Sequence, residues 1–165
     1  MSQKPGSLYL GHTLDATTSE RTGETLELKS DRLTTHGVIV GMTGSGKTGL
    51  GIVLLEEVLA SGVPALILDP KGDMGNLLLN FPSFSGSEFA PWVDAGEARR
   101  KEVSVEALGD AEAAKWKKGL AGSEIDAERM RGLKEKAEIR IITPGSTAGI
   151  PLNLVGDLSP PDASR

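Results

Sequence analysis

The sequence predicts an α/β fold built on a mostly parallel sheet, and three features predict it. Two short apolar runs, Val38-Ile39-Val40 and the segment 64–69 (PALILD), have the length and content of strands buried on both faces. Between them lies a glycine-rich turn, GMTGSGKT (41–48). An apolar helical stretch over 47–60 leaves that turn. Strand, turn, helix and strand in that order make one right-handed βαβ unit.

The chain of 165 residues is long enough for one domain. With only 4% aromatics, its core has to come from Leu, Ile, Val and Ala. The absence of Cys excludes disulfides and a cysteine nucleophile, and two histidines cannot build a zinc site alone. A net charge of −5 argues against a broad basic face for nucleic acid, although a few Lys or Arg on one loop suffice to grip a phosphate backbone. The start lacks a secretory h-region, and no apolar run approaches the roughly 18 residues of a membrane span. A soluble, cytoplasmic protein is expected.

Residues 1–34 read as a small β segment, either a hairpin or an entry segment, with SLYLG (7–11) and ETLELKS (24–30) as alternating pieces. Leu26 and Leu28 share one face of the second piece, as in an exposed strand. The main α/β core is expected over 35–155. In the helix 47–60, apolar residues cover most of the circumference, leaving Glu56 and Glu57 for solvent. Ser61-Gly62 closes this helix, and Pro70 stops the strand after it. Residues 80–103 read as a long irregular connection. Two charged helices follow, around 104–120 and 125–137, with Glu112/Lys115 and Arg131/Glu135 at helical spacing. EIRIIT (138–143) is a third strand, ended by Pro144-Gly145, and 156–165 is expected to be a disordered tail.

The turn at 41–48 matches G-x-x-x-x-G-K-[ST] without a gap, entered by a strand and left by a helix. Gly41, Gly44 and Gly46 permit backbone angles closed to other residues, so successive N–H groups can converge on one anion. The helix beginning near Lys47 adds its unsatisfied N–H groups and positive dipole end. The Lys47 ammonium reaches the β- and γ-phosphates, and the Thr48 hydroxyl is placed for Mg²⁺. The expected nucleotide-binding set is Gly41, Thr43, Gly44, Ser45, Gly46, Lys47, Thr48 and Gly49, with ATP and Mg²⁺ as cofactors. Gly49 and Gly51 lie in the first helical turns, where each costs about 1 kcal/mol relative to Ala. Close packing of the helix on the sheet is the favoured reason; room for the base or ribose is the alternative.

A second motif, Asp69-Pro70-Lys71-Gly72-Asp73, ends the second strand, at the sheet edge where ligands of open α/β folds sit. Asp69 is a candidate Mg²⁺ holder through a water, and Asp73 a candidate for ordering the attacking water. Lys71 either neutralises phosphate charge or pairs with one of the two carboxylates. A turn in which Asp, Pro and Gly supply only geometry is the competing explanation.

Together these motifs resemble the HerA/FtsK superfamily of P-loop ATPases, which pump DNA or other polymers. GMTGSGKT, the lead-in THGVIVG and LILDPKGD are typical of it. AAKWKKGLAG and IITPGSTAGIPLNLV are similar to segments of its HerA-like branch. The resemblance implies a RecA-like P-loop core, incomplete in this chain, and a hexameric ring threading duplex DNA. It also implies Lys47, Asp69 and Asp73 in catalytic roles, and Thr48 with Asp69 at the metal. One departure stands out: no apolar strand followed by Asp-Glu lies downstream of DPKGD, and no sequence context marks an arginine finger. The chain is therefore expected to be the N-terminal part of a longer ATPase, better at binding than at cleavage. A nucleotide-binding module that docks a partner, or a conjugation-type ATPase that moves protein, are the rival functions.

The basic groups Arg99-Arg100-Lys101 and Lys115, Lys117, Lys118 are interleaved with Glu97, Glu102 and Glu112, as on a solvated face. Trp92 and Trp116 are expected to fill core gaps rather than stack on bases.

Overall fold

The computed structural model describes residues 6–121, 123 and 125–153. The expected tail at 156–165 lies outside them. The lead-in is an antiparallel hairpin of β1 (Ser7–Leu14) and β2 (Arg21–Lys29). Asp15 tightens its turn by accepting from the N–H groups of Thr17 and Thr18, both at 2.8 Å. Leu8 and Tyr9 of β1 are buried, whereas Leu26 of β2 is exposed, as its alternation with charges predicts.

Helix α1 spans Lys47–Ala60, the residues that its apolar content and flanking glycines predict. Its end is a Schellman motif. The N–H of Val63 reaches Val58 O (3.2 Å) and that of Gly62 reaches Leu59 O (2.9 Å), with Gly62 at φ 78°. The apolar side chains from Ile52 to Leu55 are half-buried. Glu57 overturns the expectation for this helix: it is 2% exposed, facing inward beside β1.

The segment 80–103 is more ordered than its Pro and Ser content suggests. It folds into α2 (Gly86–Phe89), a 3-10 turn over Ala90–Trp92, and α3 (Ala95–Arg100). Helices α4 (Val105–Leu120) and α5 (Ala127–Lys136) follow where charge spacing places them. Both are capped at the N-terminus, Ser104 Oγ accepting from Ala107 N–H (3.0 Å) and Asp126 from Arg129 N–H (2.8 Å). The expected Glu112–Lys115 pair forms at 3.3 Å.

Helices α2 and α4 approach through glycine. A Cβ on Gly109 would lie 2.7 Å from the Gly86 carbonyl oxygen and 3.0 Å from Ala90 N. Those are backbone atoms that cannot step aside. Gly109→Ala is therefore expected to destabilise the protein by about 1–3 kcal/mol, the usual cost of overpacking. A urea midpoint equal to that of the unchanged chain would show that α2 gives way freely.

The parallel sheet departs most from expectation. Residues 38–40 and 64–69 are not strands, and Val40 and Leu66 are 83% and 87% exposed. The third strand is confined to β3 (Ile142–Pro144), which pairs in parallel with β4 (Ile150–Leu152) across a short turn. Thr143 Oγ1 holds that turn, accepting from Gly149 N–H at 3.1 Å and donating to Ser146 O at 2.9 Å. The physical reason is that apolar content describes a strand's faces, while a ladder also needs a neighbour for its N–H and C=O groups. Among the described residues, 38–40 and 64–69 have no such neighbour, so the βαβ unit is present as turn and helix without its strands.

Candidate phosphate-binding site

The glycine-rich turn has the shape of an anion cradle. Gly44 and Gly46 hold φ at 81° and 88°, in the left-handed region that a Cβ disfavours. At Gly41 space is the constraint, because a Cβ would meet Ser45 Oγ at 2.4 Å and Lys47 Cγ at 3.4 Å. The loop closes with Ser45 N–H on Met42 O at 3.2 Å. Gly46 is the N-cap of α1 and supplies no side-chain cap, and the first turn of α1 carries no acid. The leading N–H groups of the helix, from Lys47, Thr48 and Gly49, are thus left for an external acceptor, and no acid of the helix's own first turn competes for them. Lys47 folds back over the loop, its Nζ donating to Met42 O at 2.5 Å, so the ammonium already sits at the rim.

DPKGD meets this cradle through its last residue. The Thr48 hydroxyl donates to Asp73 Oδ2 at 3.5 Å, and Lys71 Nζ pairs with the same oxygen at 2.5 Å. Of the options open to Lys71, the structure takes pairing with Asp73. The Lys71 hydrogen bond holds the Asp73 carboxyl below its ordinary range, and the Lys71 ammonium is raised in return. Asp73 therefore contributes this pairing fully above an ordinary aspartate pKa of 3.8, and loses it as pH falls through its lowered value. Asp69 is placed differently. Its two oxygens accept from Gly72 N–H and Met74 N–H, both at 2.8 Å, so it shapes the turn that delivers Asp73. A carboxylate retains further lone pairs after two such bonds.

The donor set suits a polyphosphate with its magnesium. The cradle offers N–H groups and one ammonium to the anion, and a hydroxyl beside a carboxylate to the cation. Mg²⁺ in such sites leans on substrate oxygens and waters rather than on a cage of protein ligands. The family model described as "Helicase HerA, central domain" matches residues 8–142, most of the chain. This chain belongs to the HerA central-domain family. No curated protein and no solved structure matches it. Membership in the HerA family makes its function class that of a P-loop ATPase. No helix among the described residues is long and apolar enough to cross a membrane.

Gly51 and Gly49 differ in what they face. A Cβ on Gly51 would sit 4.0 Å from Met74 Cε, in contact with the turn after DPKGD, while Gly49 has nothing within 4 Å and borders a cavity. Close packing on a sheet explains neither. Trp92 and Trp116 do not fill the core either, being 64% and 55% exposed at the edge of the same cavity.

Sequence reasoning missed the group that anchors the far end of α1. Glu57 Oε2 accepts from Tyr9 N–H at 2.8 Å, its Oε1 pairs with Arg129 of α5, and the Arg129 guanidinium lies 5.1 Å from the centre of the Tyr9 ring. The available signal was the pair Glu56-Glu57 on an otherwise apolar helix, which allows that one of them faces inward.

Proposed function

We propose that this chain is the Mg·ATP-binding P-loop ATPase domain of a HerA/FtsK-type translocase, coupling hydrolysis to movement on duplex DNA within a hexameric ring in the cytoplasm. In this reading residues 35–155 form a RecA-like core behind the lead-in hairpin. The observation that carries it is the meeting of Thr48 with Asp73, which brings cradle and acid together from opposite ends of α1 and the segment after it. Lys47 and the backbone N–H groups of Gly44 to Gly49 would hold the phosphates and stabilise charge on the transferring phosphoryl group. Thr48 would hold Mg²⁺, with Asp69 acting through a water, and Asp73 would orient the attacking water.

A second reading, a nucleotide-binding module that docks a partner without turnover, is favoured by one observation. Both oxygens of Asp69 are engaged by backbone N–H groups, and Asp73 is engaged by Lys71. Steady-state ATP hydrolysis with and without duplex DNA separates the two. DNA-stimulated turnover that falls at least about tenfold in Asp73→Asn, and that needs more Mg²⁺ in Asp69→Asn, supports the translocase. Intact ATP binding with no turnover under any condition supports the docking module.

A further inference from the structure

Beside the phosphate cradle, on another face of α1, lies a cavity of about 500 Å³, within the range of small-molecule sites. Its walls are rich in rings for a chain with so few aromatics. Phe81, Phe84, Phe89, Trp92 and Trp116 all line it, with Phe81 and Phe89 at 4.7 Å between centroids and Phe81 and Trp92 at 6.4 Å. Ile52 and Val53 of α1 complete the apolar surface.

The charges around these rings are mostly acidic. Among the described residues, Glu56, Glu57 and Glu112 line the cavity, against a single cation, Arg129. Glu57 takes Arg129, and Glu112 pairs outward with Lys115 at 3.3 Å. Glu56 makes no ion pair among the described residues, although it is half-buried. Asn80 adds a buried Oδ1 with no hydrogen-bond partner among the described residues, its amide nitrogen being engaged by Met130 O at 2.9 Å.

We infer that this cavity is a binding site for a hydrophobic organic cation, held against the aromatic rings with its positive charge toward Glu56. Ring faces attract cations through their quadrupoles, more strongly where water is excluded. A carboxylate set among apolar walls lacks hydration, and burial pushes the Glu56 carboxyl up accordingly. An incoming cation supplies a closer counter-charge than Arg129, which is ion-paired with Glu57 and acts on Glu56 without direct contact. The same acidic lining disfavours a phosphate-bearing ligand, so this site is separate in chemistry from the nucleotide cradle and does not depend on the proposed ATPase function.

The two tryptophans of the chain both border the cavity, so their emission reports on it directly. Titration at pH 8 with tetraphenylphosphonium and with its near-isosteric anion tetraphenylborate separates charge from greasiness. The cation is expected to change the emission saturably and to bind at least about tenfold more tightly than the anion. Glu56→Gln, checked for folding by circular dichroism, is expected to remove most of that preference. Equal binding of the two ions, or no saturable change with the cation, overturns the inference on the unaltered protein alone. An undiminished preference in folded Glu56→Gln overturns it as well.

Discussion

Lys47→Ala is expected to abolish tight Mg·ATP binding, weakening it by about ten- to a hundredfold in titration calorimetry. The lysine supplies an ammonium at the rim of the cradle, and a charge-assisted bond to phosphate contributes about 1.5–3 kcal/mol. That range converts to the stated loss in affinity. The backbone donors at Gly44 and Gly46 and the open end of α1 remain in the variant, so weak binding should persist at high nucleotide concentration. Because the Lys47 bond to Met42 O is exposed, removing the side chain should leave thermal stability nearly unchanged. An unchanged affinity would refute the phosphate assignment of residues 41–48, whatever the motif suggests.

Glu57→Ala should have the largest effect on stability. It leaves the Arg129 guanidinium without its carboxylate and the Tyr9 N–H without its acceptor, at a position where the glutamate is almost fully buried. Breaking a buried pair by removing one partner costs about 3–5 kcal/mol. The Arg129 side chain keeps 30% exposure, which lets water rehydrate it and places the cost near the lower end. For a chain of this length, 3 kcal/mol lowers the melting temperature by roughly 6–12 °C. A double-mutant cycle with Arg129→Ala should show strong coupling, because the two side chains are in direct contact at a largely buried position. A shift below about 2 °C would mean that hairpin, α1 and α5 are held together by apolar packing alone.

Legibility in the sequence followed the range of the interactions. Helix α1 was readable to the residue, since its start is set by the backbone freedom of Gly46 and its end by Gly62. The hairpin was readable from alternation, and α4 and α5 from charge spacing. The strands at 38–40 and 64–69 were not, because their apolar residues match a buried strand while their ladder partners would have to come from elsewhere. The short helices at 86–100 were hidden for the opposite reason. Glycine, serine and proline lowered local helix propensity, and contact with α4 through Gly86 and Gly109 overrode it.

The candidate site divides in the same way. By itself the sequence determined the turn that carries the proposed cradle: three glycines, Lys47 and Thr48 at a spacing whose geometry is local, needing only a turn and the first turn of a helix. It also narrowed the acids to Asp69 and Asp73. Only the tertiary structure decided which of them meets Thr48, since Asp69 folds its own turn and thereby aims Asp73. It likewise turned Glu57 inward to Tyr9 and Arg129, and left Glu56, one residue away, lining the aromatic cavity. Adjacent residues of a helix point about 100° apart, and which of two like charges is buried depends on what packs against each face. That information resides in residues 48 and 72 positions distant along the chain, and not in the helix itself.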